Sequence, residues 1–181
     1  GFDTEAHRLF YGKLLEISGA RLRNATSDNG FIIARERFTT DGRGLLFAAN
    51  YYNEELRGAV NYTHPATGES VSLPLSGGEI LWPPLRAILT PLCIQLAEGV
   101  TMLHTTSDLL SVRKEGSEII LTLSGDRDLP GEIVLEGPGT VRLSVEETSG
   151  RAVGINLIRG RKVITYSHVH GEETVIRVAV G

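Results

Sequence analysis

The chain has 181 residues, 41% of them hydrophobic and 22% charged, with a formal net charge of -4 and one cysteine. That length buries roughly two-thirds of the surface an unfolded chain exposes, and the composition is that of a globular protein, not a disordered one. The acidic balance excludes generic affinity for nucleic acid or anionic membrane, no run approaches the ~20 apolar residues of a bilayer span, and a lone Cys93 excludes a disulfide scaffold.

The opening, Gly1 to Phe10, mixes charged with apolar residues and lacks the continuous apolar core of a targeting signal. It has no initiator methionine, and Met102 is the only methionine, so the chain is expected to be an excised or processed piece of a longer protein, soluble and cytoplasmic. From Thr4 to Ile17 the residues Ala6, Leu9, Phe10, Leu14 and Ile17 recur at three- and four-residue intervals, which predicts a helix with one apolar stripe. Thr4 suits its cap and Gly19 its stop, while Gly12 weakens the middle. The stripe needs a surface to lie on, and Leu9, Phe10, Leu14 and Ile17 are therefore assigned to an interdomain contact or to self-association.

After Asn29-Gly30 the period becomes that of strands: Phe31 to Phe38, Leu45 to Tyr52, Leu56 to His64 and Ser70 to Leu75. Turns separate them at Asp41-Gly42-Arg43-Gly44, Asn53-Glu54-Glu55 and Pro65-Ala66-Thr67-Gly68. Next come Glu79 to Leu81, Ala87 to Leu96, Val100 to Thr105, Leu109 to Arg113, Glu118 to Leu123 and Glu132 to Leu135. Thr140 to Glu146, Ala152 to Ile158, Lys162 to Val169 and Thr174 to Val180 complete the set. So many short strands, with 21 glycines, predict an all-β antiparallel sandwich or jelly roll led by one N-terminal helix.

The expected organisation is a linking helix over 1–23, a β-sandwich over 24–138, and further strands over 139–181 that either join that sandwich or form a small second unit. Val141, Leu143 and Val145 alternate with Arg142, Ser144 and Glu146, one face in and one out. Ile119 to Leu123 and Leu45 to Ala49 are largely apolar on both faces, so each is expected to be central in its sheet or covered by a second layer.

No pattern of catalytic groups stands out. The carboxylate pairs Glu54-Glu55, Glu146-Glu147 and Glu172-Glu173 fall in or beside turns, and adjacent residues on a strand point to opposite faces, so they do not converge on one substrate. His168 and His170 share one strand face, as metal sites require, but lack an evident third ligand. His104 and Asp108 flank Thr105, Thr106 and Ser107, a base, an acid and hydroxyls without the strained turn of a serine nucleophile. Arg159, Arg161 and Lys162 beside Gly160 read as a solvated hairpin turn, and Cys93 between Leu92 and Ile94 as a small buried apolar residue. Gly137-Pro138-Gly139 and Ser76-Gly77-Gly78 lack the helix and lysine of a phosphate loop, so no cofactor is expected. Trp82, before Pro83-Pro84, and Tyr52, at a strand end, are the aromatic candidates for stacking on a carbohydrate ring.

Four stretches occur in an order that resembles a known family: Gly44-Leu45-Leu46-Phe47-Ala48-Ala49-Asn50-Tyr51, Pro65-Ala66-Thr67-Gly68, Ala87-Ile88-Leu89-Thr90-Pro91-Leu92 and Thr105-Thr106-Ser107-Asp108-Leu109-Leu110. Together with the leading helix His7 to Gly19, they resemble the β-sandwich region that follows the catalytic barrel in some β-galactosidases of glycoside hydrolase family 35. The resemblance covers about residues 5 to 138; Gly139 to Gly181 has no counterpart in it. It implies a non-catalytic accessory domain whose partner is the catalytic barrel of a parent enzyme, and no catalytic residue carries over because the barrel's glutamates are absent. The alternative is an independent carbohydrate-binding module that uses Trp82 and Tyr52.

Overall fold

The structure, a computed structural model, describes residues 25–125, 130–137, 153–168 and 172–180, the backbone of 143–147, and Ala6, Leu9, Phe10, Lys13, Leu14 and Ile17. Those six N-terminal residues have helical backbone and are exposed; the rest of the predicted helix lies outside the described residues. In chain order the strands are β1 (Thr26–Ser27), β2 (Ile32–Phe38), β3 (Gly44–Asn50), β4 (Leu56–Gly58), β5 (Val60–Thr63), β6 (Ser70–Leu73), β7 (Ile80–Trp82) and β8 (Ala87–Leu92). They continue as β9 (Ile94–Ala97), β10 (Val100–Thr105), β11 (Asp108–Glu115), β12 (Glu118–Ser124), β13 (Pro130–Glu136), β14 (Leu143–Glu147), β15 (Gly154–Ile158), β16 (Arg161–Ser167) and β17 (Thr174–Val180).

These strands make an all-β fold in which paired strands run antiparallel. A five-stranded sheet in the order β15-β16-β13-β10-β9 lies at its centre. One face of that sheet, through Leu103, Val134 and Val163, packs on residues from the three-stranded sheet β2-β3-β8 and the β5–β6 hairpin, among them Leu46, Ala48, Ile88, Tyr62 and Leu73. The other face, through Met102, Ile133, Leu135, Ile164 and Tyr166, packs on Ile119, Leu121 and Leu123 of β12 and on Ile176 and Val178 of β17. Because side chains alternate along a strand, a sheet covered on both sides must be apolar or satisfied at every position. Ile133-Val134-Leu135 and Met102-Leu103 are such runs, all buried. Each fully buried leucine or isoleucine contributes about 1.5–3 kcal/mol of transfer free energy.

The later strands complete the sheets of the earlier ones: β16 pairs with β13, and β17 with β12. Cys93 is the corner at which the chain leaves the outer sheet after β8 and enters the central sheet as β9; its φ is +55°, and its amide donates to the Leu103 carbonyl at 3.0 Å. Its thiol is half-buried and pushed up to about 11 by burial, which leaves it a packing group.

Leu45 to Ala49 lies in the central strand of β2-β3-β8, as the first of its two alternatives expects, with Leu46, Ala48 and Ala49 buried and Leu45 49% exposed. One expectation needs correction. Arg161 is not a solvated turn residue. It is 5% exposed and holds Glu69 through a two-pronged contact of 3.0 and 2.7 Å, with Glu136 at 3.2 Å. The turn proper is Arg159-Gly160, both at positive φ, which matches the twist of a tight hairpin. The alternation expected at Val141 to Glu146 concerns side chains outside the described residues.

Candidate functional site

A cavity of about 170 Å³ opens where the loop after β6, the start of β13 and the end of β16 meet, and the buried polar side chains of Ser107, Glu132 and His168 reach it. Ser76, Glu132, Ser107 and His168 line it, with Arg86 among its walls. Two hydrogen-bonded clusters reach it from opposite faces of the central sheet.

The first cluster is built on Glu132. Its position on β13 matches that of Val134, toward the first core, and a carboxylate buried there must be fully bonded or neutralised. Leu75 N donates to Oε1 at 2.6 Å and Ser76 N to Oε2 at 2.8 Å, so the turn after β6 wraps its amides around the carboxylate. His104 Nε2 lies 3.3 Å from Oε1, and His104 Nδ1 lies 3.1 Å from the Tyr62 hydroxyl. Burial raises the Glu132 carboxyl, but the bonds from His104, Ser76 and Leu75 outweigh it and hold the group below its usual range. Burial lowers His104 and prevails over the pull of Glu132, so the ring is neutral: Nε2–H donates to the carboxylate and Nδ1 accepts from Tyr62. Tyr62 is held well above its usual value, first by burial, and stays a donor.

The second cluster is built on hydroxyls and one imidazole and contains no carboxylate among the described residues. Ser107 Oγ lies 2.7 Å from His168 Nε2 and 2.8 Å from the Tyr166 hydroxyl, and His168 Nδ1 lies 3.0 Å from Thr174 Oγ1. Thr105 Oγ1 receives the Ser107 amide at 3.2 Å and lies 3.4 Å from the Tyr166 hydroxyl. Burial pushes Tyr166 up to about 12 against the opposing bonds from Ser107 and Thr105, so its hydroxyl stays protonated. Two glycines make room for these rings. A Cβ on Gly131 would stand 2.2 Å from the Tyr166 ring, and one on Gly125 2.3 Å from that of His168.

A serine hydroxyl 2.7 Å from an imidazole nitrogen has the distance of a nucleophile and its base. The surroundings are not those of acyl transfer. The far nitrogen of His168 lies beside the Thr174 hydroxyl, and the Ser107 amide is spent on Thr105 instead of facing a developing oxyanion. Both carboxylate oxygens of Glu132 hold backbone amides, and Asp108 is paired with Arg86 at 3.0 Å. The arrangement clamps strands β10, β13, β16 and β17 to the turn after β6.

The base, hydroxyls and acid grouped at His104 to Asp108 are thus separated three ways. His104 on β10 goes to Glu132, Ser107 in the bend after β10 to His168, and Asp108 at the start of β11 to Arg86, because the chain turns between the two strands. Trp82 is corrected as well: it is 0% exposed in the first core, and its indole N–H donates to the Gly58 carbonyl at 3.0 Å, so it offers no face to a sugar. Tyr52 is 43% exposed and packs edge-on against Phe31 at 4.9 Å between ring centres. Asn50 ties the two regions together, its amide bonding the Trp82 and Pro83 carbonyls and its oxygen the Tyr52 amide, but the Trp82 and Tyr52 rings form no joint platform. Glu54, Glu55, Glu172 and Glu173 are exposed; Glu146 and Glu147 side chains and His170 lie outside the described residues. Glu132 carried a signal that sequence reading passed over, a single carboxylate within the apolar run Gly131-Glu132-Ile133-Val134-Leu135.

Compared with models of known protein families and with curated proteins, the chain finds no match. Among the described residues no helix is long and apolar enough to cross a membrane.

Proposed function

We propose that this chain is a non-catalytic accessory β-sandwich of a β-galactosidase-like glycoside hydrolase, a support for the catalytic barrel. The observation that carries the reading is the use to which the cavity's polar groups are put. Of the two carboxylates that line it, Glu132 holds two backbone amides and Glu79 is exposed, and the His168 nitrogen remote from Ser107 lies 3.0 Å from the Thr174 hydroxyl. A glycosidase needs two carboxylates facing one bond, one of them free to give up and recover a proton, and here the buried carboxylate is a structural anchor. The family part of the reading rests on the ordered stretches from Gly44 to Leu110 and is weighed with them.

The test is turnover of a chromogenic β-galactoside by the purified chain. No release of chromophore above buffer is expected. Turnover that disappears in Ser107→Ala, with the variant still folded by circular dichroism, would overturn the non-catalytic reading, as would turnover lost on Glu132→Gln.

A further inference from the structure

The sheet β2-β3-β8 is apolar on both faces, but only one is packed in the core. Even-numbered residues such as Leu46, Ala48 and Ile88 enter the first core. Odd-numbered ones lie on the outer face, where Ala49 is buried and the register sets the others side by side: Arg35 opposite Phe47 and Phe47 opposite Leu89, Arg37 opposite Leu45. Phe31, Ile33, Leu45 and Leu89 are all exposed there, at 38 to 56%. An open sheet face normally alternates to polar residues, and contiguous apolar surface of this kind marks a face that something covers.

We propose that the cover is the apolar stripe of the same chain's N-terminal segment, Leu9, Phe10, Leu14 and Ile17, laid across the outer face of β2-β3-β8. Three observations select this occupant. The stripe has helical backbone and its side chains are exposed, so it and the sheet face each present the surface the other lacks. The chain enters the fold at β1, which lies against β2, the edge strand of this sheet. The seven residues between Ile17 and Ala25 span up to about 25 Å, while a three-stranded sheet is about 10 Å wide, so the stripe reaches any of its strands.

The inference stands apart from the proposed enzyme context and is tested on the full chain by nuclear magnetic resonance. With Leu and Ile methyl groups and Phe rings labelled, nuclear Overhauser contacts are expected from the Phe10 ring to the methyls of Leu45 or Leu89. In a mixture of methyl-labelled and ring-labelled chains these contacts should be absent; finding them only in the mixture would mean that a second copy supplies the stripe, which overturns the proposal. In Phe10→Asp the Leu45 and Leu89 methyls should broaden strongly on adding a soluble paramagnetic chelate, while those of Leu121 and Ile164 keep their native shifts and show that the fold is intact. Leu89→Asp should in turn expose the Phe10 ring. Equal broadening of Leu45 and Leu89 in the unaltered chain and in Phe10→Asp would mean the face is open and would overturn the proposal.

Discussion

The two faces of the central sheet carry polar clusters of different chemistry, one centred on a carboxylate and one on hydroxyls. Toward the first core, Tyr62, His104 and Glu132 surround a buried negative charge that backbone amides of Leu75 and Ser76 complete. Toward the second core, Thr105, Ser107, Tyr166, His168 and Thr174 form a chain of hydroxyls joined by one imidazole. A charge in low dielectric is costly unless every lone pair is met, whereas a chain of hydroxyls loses one modest bond at a time. The first cluster should therefore be brittle, and the second tolerant of single losses.

The largest effect is expected at the charge. Glu132→Ala removes the acceptor for two backbone amides and for His104, and breaking a buried ionic site of this kind costs about 3–5 kcal/mol. Urea unfolding followed by Trp82 fluorescence measures it, since that buried indole belongs to the neighbouring core. A loss no larger than that of Ser107→Ala would end the distinction between the clusters.

Gly131→Ala comes next, because the Tyr166 ring lies 2.2 Å from where its Cβ would be. Gly131 and Tyr166 are register partners on β13 and β16, so the ring covers the glycine and reaches Ser107 from that position. Overpacking there should cost about 1–3 kcal/mol. It strikes the hydroxyl cluster through shape instead of charge, and an unchanged unfolding midpoint would show that the ring has other room.

Much of this architecture is legible in the residues, and the clusters are not. Val100 to Thr105 and Thr174 to Val180 have the strand boundaries that alternation and flanking turns indicate, because those signals are local. The breaks between β4 and β5 and at Cys93 are hidden, since one residue of altered backbone interrupts an otherwise continuous apolar run. Trp82 reads as a surface residue from the prolines after it, yet its N–H finds the Gly58 carbonyl and the ring sinks into the core. The pairing of Ser107 with His168, or of Glu132 with the turn after β6, spans some sixty residues and follows from register between strands, which periodicity along one strand does not encode.

Acid should weaken the first cluster. His104 is held below its ordinary 6.5 chiefly by burial, so between pH 6.5 and the folded value the unfolded chain takes up a proton that the folded one refuses. Stability then falls as pH drops through 6.5, by at most about 1.4 kcal/mol per pH unit for one proton. Glu132, held below 4.5, contributes stability that is complete above that value and is lost as pH falls through it. Unfolding free energies from pH 6.5 down to 4.5 should decline less steeply in His104→Gln than in the unaltered chain. Equal slopes would remove His104 as the sensing group.

The smallest effects belong to the ends of the hydroxyl chain. Ser107→Ala removes one partner each from Tyr166 and His168, but Thr105 remains near the Tyr166 hydroxyl, so the cost should be about 1 kcal/mol. Thr174→Val keeps the shape and removes only the bond to His168 Nδ1, with a similar cost. Because the two hydroxyls bind opposite nitrogens of one imidazole, each fixes which nitrogen carries the proton, and losing one weakens what the other contributes. The double variant should accordingly be less destabilised than the sum of the singles, by about 0.5 kcal/mol or more. Strict additivity would mean that the ring reorients freely and that the second cluster is a set of independent bonds, not a chain.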